Sequence, residues 1–535
     1  MISAWRTRLR LLLALTTGCV LDFPVAPNDA GTDGEDSSAD QSVDRLTEDA
    51  PMLPDAADGG FNPDVATVPI DPPYVAFIDL ESGPNSGGPD DQGTVLSIYG
   101  HRFGGARGNV RIGGVEVASI LQWTDEKIAV SVGPVRTGEV IVQSSNGASA
   151  DGPTFTVRPG RIRCVDSAAG SDAFEGTWGG CWQTLAFAFG SALPGDVIYA
   201  MPGSRFRAVD DVAAGIEISG RVGEPIAFVG YPGEAVVVEG PANGWAWRVP
   251  NIAFPQLPSH WTVANLRLTG GFVAIEVRGE DWRWVGNTIE CSETRFDVAC
   301  ADFRESARLE FLSNRVHLPS GPPSSYFGLR LMGSGRMRLE RNEIVGGSTD
   351  ASISIQTDGR IEFVANRLQD AQCLAAELVC GTLVASNNLI VGAGRGPAAG
   401  CMNVGAVDVQ CTERCELANN TIVDAGNAGG AAVRLSGQAR FDNNLLVQPA
   451  PPGRPFFDGT PELSGTTNLF EGGDTAPAGL TASIREPAML DDAFVPAQTS
   501  PAVGAARGDA PMRDALGRAR GRSPTIGAFE RPPLD

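Results

Sequence analysis

The stretch RIEFVANRL (360–368) is one of eight copies of a phrase that returns between Asp281 and Phe470. The others are DWRWVGNTI (281–289), ARLEFLSNRV (307–316), RMRLERNEI (336–344), TLVASNNLI (382–390), CELANNTI (415–422), ARFDNNLL (439–446) and ELSGTTNLF (462–470). Aligned on the asparagine, they give Asn287, Asn314, Asn342, Asn366, Asn388, Asn420, Asn444 and Asn468, at steps of 27, 28, 24, 22, 32, 24 and 24 residues. That loose period is the mark of a solenoid. Two residues after each asparagine stands an apolar side chain: Ile289, Val316, Ile344, Leu368, Ile390, Ile422, Leu446 and Phe470. Three residues before it lies a second apolar set, Trp284, Phe311, Leu339, Phe363, Ala385, Leu417 and Phe441.

Alternation around each asparagine implies strands with one buried face. A shorter strand precedes each phrase, its apolar pairs being Ile275 and Val277, Ala301 and Phe303, Leu329 and Leu331, Ile353 and Ile355, Val407 and Val409, Val433 and Leu435. Turn residues such as Arg278-Gly279-Glu280 and Thr357-Asp358-Gly359 separate the two strands. No segment between copies has the length and periodicity of a crossover helix, so each strand is expected to pair with its equivalent one turn later. The fold class is therefore all-β, and the repeat region a parallel β-helix with stacked asparagine amides at an inward bend. Four residues before each asparagine, the outward positions Arg283, Glu310, Arg338, Glu362, Val384, Glu416 and Arg440 are expected to form an exposed ladder that specifies register rather than adding much stability.

The 535-residue chain leaves room for two or three domains. A net charge of −23 argues against a nucleic-acid partner, which needs a basic face. Residues 1–19 carry Arg6, Arg8 and Arg10, then an apolar run from Leu11 to Leu15 too short to span a bilayer, then Thr16-Thr17-Gly18-Cys19. This resembles a bacterial lipoprotein signal, with Thr16 where leucine is usual. The resemblance implies lipidation of Cys19 and attachment to a membrane through that lipid. Residues 20–72 hold thirteen acidic residues and one arginine, Arg45, and read as an extended, disordered tether.

Between 73 and 157, short alternating runs split by Gly and Asn read as a β-sandwich. Gly93-Thr94-Val95-Leu96-Ser97-Ile98-Tyr99-Gly100, Phe103-Gly104, Val110-Arg111-Ile112-Gly113-Gly114, Gly138-Glu139-Val140-Ile141-Val142 and Phe155-Thr156-Val157 resemble an IPT/TIG domain, an immunoglobulin-like module. That implies a spacer or ligand-presenting role. From Asp166, Gly170-Ser171-Asp172, Trp182-Gln183-Thr184-Leu185, Pro194-Gly195-Asp196-Val197-Ile198 and Pro202-Gly203 resemble the opening of pectate-lyase-like, right-handed parallel β-helix domains. Ile526-Gly527-Ala528-Phe529-Glu530 resembles their close, so the resemblance covers about 160–530. Leu185, Ala188, Phe189 and Ala192 fall at helical spacing, and a short helix near 182–192 is expected to plug the open end of the coil.

Close spacings suggest the disulfides Cys164–Cys181, Cys291–Cys300 and Cys373–Cys380, as suits an exported chain. Cys401 would take Cys411 or Cys415 and leave one thiol over, with zinc as the competing reading.

Enzymes of the pectate-lyase class need a strong base, usually Lys or Arg, and often calcium held by carboxylates. The β-helix region has no lysine, since Lys127 is the only one in the chain. The best constellation lies on the centres of the shorter strands: Glu276, Asp302, Arg330, Ser354, Asp408 and Arg434. Arg330 is the candidate base and Glu276 with Asp302 the candidate calcium ligands; no other cofactor is expected. Glu276, Asp302, Arg330, Asp408 and Arg434 are candidate ligand contacts, with Trp245, Trp247, Trp261 and Tyr326 as candidate sugar-stacking aromatics. Trp282 falls at a core position. Polygalacturonase-type hydrolysis lacks its Asn-Thr-Asp, Asp-Asp and Gly-His-Gly phrases here. The leading expectation is a monomeric, exported, lipid-anchored protein of the cell envelope or cell surface, which binds polysaccharide or another surface component without turnover. A calcium-assisted polysaccharide lyase is the alternative, and a structural spacer the third reading.

Overall fold

A computed structural model of the chain describes residues 72–531, apart from 146, 149–151, 209–211, 243, 250–256, 271–272, 292–298, 319–323, 348, 395–404, 427–429, 449–454, 459–461 and 475–476. Cys19, the signal and nearly all of the tether lie outside the described residues.

From Ile162 onward, strands join into two parallel sheets, one of 19 strands and one of 11. Each strand pairs with its equivalent one coil later. Trp284 stands opposite Phe311, Phe311 opposite Leu339, Leu339 opposite Phe363, Phe363 opposite Ala385, Ala385 opposite Leu417, and Leu417 opposite Phe441. The set two residues after the asparagines stacks likewise, from Ile289 to Phe470. Both columns are buried in one continuous core. The result is a parallel β-helix. Where turns were expected between the two strands of a coil, several coils run straight through as one long strand, for example Ala301–Leu312 and Gly405–Ala418. Register shifts after Phe303 and after Cys380 bend these strands without breaking them.

The corner after each long strand is built from two residues. The first adopts a left-handed conformation, as at Ser313 (φ 51), Arg341 (φ 57), Ala365 (φ 55), Asn387 (φ 58), Asn419 (φ 54) and Asn443 (φ 55). The second is the inward asparagine. Asn342 Nδ2 donates to Asn366 Oδ1 at 2.9 Å, and Asn366 Nδ2 donates to Asn388 Oδ1 at 3.1 Å. The same link runs from Asn287 to Asn468 through every copy. Each oxygen also accepts the backbone N–H of the preceding asparagine. Buried amides are thereby satisfied along the axis.

One α-helix occurs among the described residues, Leu185–Gly190. Thr184 Oγ1 caps it by accepting from Phe187 N–H at 3.2 Å, and Leu185, Ala188 and Phe189 face inward. The Phe189 ring meets Phe228, Trp247 and Trp261 at 5.1, 5.4 and 5.6 Å, closing the first coils. Trp247 and Trp261 are thus core side chains rather than sugar platforms, as is Trp282. The sequence pattern missed the first two because the early coils carry no inward asparagine to fix their register.

Before the coil, Tyr74–Ile78, Val95–His101, Lys127–Ser131 and Ser119–Trp123 form one antiparallel sheet. Gly138–Ser144, Asn109–Ile112 and Thr154–Val157 contribute to the facing sheet. This immunoglobulin-like sandwich lies against the β-helix. Val197, Tyr199, Ala227, Val229, Ala264, Val285 and Leu312, which point out of the coil, share one apolar cluster with Phe77, Ile98 and Tyr99 of the sandwich. Asn265 accepts from Lys127 Nζ at 2.6 Å and from the Tyr99 hydroxyl at 2.5 Å, and donates to Asp79 Oδ2 at 2.8 Å. The lone lysine is therefore part of an interdomain lock. At Gly286 (φ 65) the sandwich presses so close that a Cβ would lie 1.9 Å from the Tyr99 hydroxyl. The expected exposed ladder is covered at its first rung: Arg283 is buried, paired with Glu310 and donating to Ile78 O at 2.6 Å.

The irregular C-terminal segment covers the later coils along the same corner. Asn387 Nδ2 donates to Arg513 O at 2.8 Å, Asn419 Nδ2 to Thr525 O at 3.1 Å, and Asn443 Nδ2 to Arg507 O at 2.9 Å. Arg102 of the sandwich donates to Leu516 O and Gly517 O, both at 2.8 Å, joining the two coverings.

Cys164–Cys181 and Cys291–Cys300 are disulfides. Cys373–Cys380 is not: Cys373 is disulfide-bonded, but Cys380 is a free thiol. The strand Leu374–Ser386 runs between them. Seven extended residues span about 23 Å, beyond the roughly 7 Å a disulfide can bridge. Cys411 and Cys415, expected as alternative partners of Cys401, are also free thiols, and Cys401 itself lies outside the described residues.

Candidate ligand-binding face

The centres of the shorter strands do form one row. Glu276 stands opposite Asp302, Asp302 opposite Arg330, Arg330 opposite Ser354, and Asp408 opposite Arg434. Three further members complete it. Arg248 precedes Glu276, Glu377 sits between Ser354 and Asp408, and Asp458 follows Arg434. Glu377 was legible: Ala376 and Leu378 flank it as the apolar pairs flank the others.

The row is less exposed than its position on an outer face suggests. Asp302 is 3% exposed, Ser354 1% and Asp408 3%. Burying carboxylates demands partners, and arginine supplies them. Arg330 grips Asp302 bidentately, Nε to Oδ1 at 3.0 Å and Nη2 to Oδ2 at 2.5 Å. Arg304 reaches Asp302 at 2.7 Å. Glu276 is paired with Arg248 at 3.3 Å and with Arg278 at 3.8 Å, and Arg278 also meets Glu305 at 3.2 Å. Burial alone would raise the Asp302 carboxyl, but the hydrogen bonds from Arg330 and Arg304 outweigh it and leave the group below its usual range.

Four guanidiniums thus surround three carboxylates, and this end of the row is locally positive on a strongly negative chain. Aromatic rings lie beside two of them: Arg248 sits 3.7 Å over Trp245, and Arg330 5.9 Å from the Phe327 ring. Trp245 is therefore the sugar-stacking candidate that lies at the face, while the side chain of Tyr326 is outside the described residues.

The far end has the opposite character. Ser354 Oγ donates to Glu377 Oε2 at 2.6 Å, and Arg434 lies 3.5 Å from Asp408 and 3.4 Å from Asp458. Burial, against the pull of Arg434 and with the push of Glu377, holds the Asp408 carboxyl above its usual range.

These surroundings do not fit the calcium role expected of Glu276 and Asp302. Their carboxylates are already taken by guanidiniums, which also repel a divalent cation. Nor do they favour Arg330 as a base. Its guanidinium is already committed to Asp302 through two hydrogen bonds, and this class of side chain gives up its proton more reluctantly than any other.

Residues 81–157 match the IPT/TIG domain family. Among curated proteins, none matches the chain. Among solved structures, the chain is similar to the pectate lyase Pel9A at 12% identity and a TM-score of 0.43, over 69% of this chain and 97% of that one. It is also similar to an alginate lyase from Paenibacillus, at 14% identity and a TM-score of 0.35, over 60% and 98% of the two chains. A third is the catalytic unit of an α-1,3-glucanase from Streptomyces thermodiastaticus, at 13% identity and a TM-score of 0.31, over 78% and 88%.

Proposed function

We propose that this is an exported, lipid-anchored protein of the cell envelope whose β-helix binds an acidic polysaccharide without turning it over. The observation that carries the reading is the cluster of four guanidiniums, Arg248, Arg278, Arg304 and Arg330, on four successive strands. Planar guanidiniums in a row suit carboxylate or sulfate groups repeated along a chain, and adjacent strands offer them a rung about every 4.8 Å. Trp245 supplies an apolar face for a sugar ring. The bidentate Arg330–Asp302 pair argues against the lyase alternative, because the candidate base and a candidate metal ligand are already engaged with each other. Disulfides support an oxidising compartment. Cys19 is the proposed lipidation site, and the acidic segment 20–72 the proposed spacer between membrane and ligand face.

The test is to incubate the protein from residue 20 onward with a panel of uronate and neutral polysaccharides, with and without calcium, measuring both binding and the ultraviolet absorbance of unsaturated product. Binding is expected to uronate polymers only, weakening with added salt and falling about tenfold or more in Arg304→Ala, with no product. Product formation that disappears in Arg330→Ala would overturn the reading in favour of a lyase. Absence of both binding and product would leave a spacer.

A further inference from the structure

Cys380, Cys411 and Cys415 converge in a chain whose described cysteines are otherwise disulfide-bonded. Cys380 and Cys411 are register partners on adjacent parallel strands, with their sulfurs 3.8 Å apart. Parallel neighbours lie about 4.8 Å apart, inside the span that a disulfide bridges. A register shift just after this pair inserts an extra residue and turns Cys415 into the core beside Cys411. Cys411 is the shared member and the one partly open to solvent; the other two are buried. The same two strands carry Glu377 and Asp408, opposite each other three residues earlier.

We infer that Cys380 and Cys411, free thiols in this structure, are oxidised in the exported protein to a disulfide that staples these two coils, with Cys415 held beside it as an exchange partner. The oxidant is an external disulfide, of the class a dithiol oxidoreductase or oxidised glutathione provides. Cys411, as thiolate, attacks one sulfur of that disulfide, forming a mixed disulfide and releasing one thiol. Cys380, as thiolate, then attacks Cys411 Sγ, forming Cys380–Cys411 and releasing the second thiol. The two cysteines lose two electrons and two protons, and the oxidant gains them. Attack of Cys415 on Cys411 Sγ would shift the bond to Cys411–Cys415 and free Cys380, with no net redox change. Once the coils have closed, hydrogen bonding to Cys411 and burial hold the Cys380 thiol protonated, so the staple is made while the coils remain accessible.

The staple is tested on protein exported through an oxidising compartment, alkylated under denaturing conditions without reductant, and mapped by mass spectrometry. Cleavage after Glu377 and before Asp408 separates Cys380 from Cys373 and Cys411 from Cys401, and cleavage after Arg414 separates Cys411 from Cys415. The expected map has Cys380 linked to Cys411 and Cys415 alkylated. In Cys380→Ser the link is expected to move to Cys411–Cys415, and in Cys411→Ser both remaining cysteines should be alkylated. Intact Cys164–Cys181 and Cys291–Cys300 peptides report that each variant has folded. Three alkylated cysteines in the wild type, a wild-type Cys411–Cys415 link, or a Cys380–Cys415 bond in Cys411→Ser would each overturn the inference.

Discussion

Replacing Asn366 by alanine isolates what the inward asparagines contribute. Its amide nitrogen donates to Leu339 O at 2.9 Å and to Asn388 Oδ1 at 3.1 Å. Its oxygen accepts from the backbone N–H of Asn342 at 3.1 Å and from Asn342 Nδ2 at 2.9 Å. All four bonds vanish on truncation, and the Asn342 N–H is left buried with no acceptor from the ladder. A buried hydrogen bond contributes about 1 kcal/mol net, and an orphaned donor costs about 1–3 kcal/mol, so a loss of about 3–5 kcal/mol is expected. Asn287, at the head of the ladder, makes three comparable side-chain bonds, to Val263 O, to Asn314 Oδ1 and from Leu266 N–H. Asn287→Ala should accordingly cost less. Urea denaturation gives the two losses, and hydrogen exchange followed at the Asn342 amide locates the first. If Asn366→Ala costs under about 1 kcal/mol with exchange at Asn342 unchanged, the ladder is decoration and the reasoning fails.

Two further outcomes follow from the sandwich interface. His101 is held neutral, at about 3 against its ordinary 6.5, by burial and then by the Arg341 guanidinium bonded to it. The unfolded chain takes up that proton below 6.5 and the folded chain does not, so stability present above pH 6.5 should fall by about 2–3 kcal/mol between pH 6.5 and 4.5. Denaturation series on wild type and His101→Gln check this: the variant should lose that part of the slope, and parallel slopes would refute it. Lys127→Met strands Asp79, already held above its ordinary range by burial, without its cation. A cost of about 3–5 kcal/mol at neutral pH is expected, shrinking as pH falls because Asp79 can then protonate, and largely restored in the double variant with Asp79→Asn. A double variant no more stable than Lys127→Met would contradict the proposed lock.

The coil was legible because its signal is redundant. Asparagine, an apolar residue two places on and another three places back recur together, so the register of Phe311, Leu339 and Phe363 could be read without coordinates. The row from Glu276 to Arg434 followed from the same register. Burial by distant segments was not legible. Nothing near Arg283 announces that the strand Tyr74–Ile78 accepts its hydrogen bond, and nothing near Trp261 announces the cap helix above it. Arg278 falls in the expected turn Arg278-Gly279-Glu280, which hid it from the row, and Arg248 and Arg304 were passed over with it, although alternation places all three on the same outer surface. The pairing of Cys373 with Cys380 failed for a related reason: nearness in sequence is distance in space once the intervening residues form a strand.

The asparagine pairs at 387–388, 419–420 and 443–444 divide their labour. The second of each pair is the common thread that makes coils interchangeable, and the first is an address that outside segments read. Asn265 plays the same part for the sandwich, with leucine in the inward place beside it. A solenoid wired this way can gain or lose a turn without rewriting its neighbours. Part of what attaches to it, and where, is written in the outward letter at each corner.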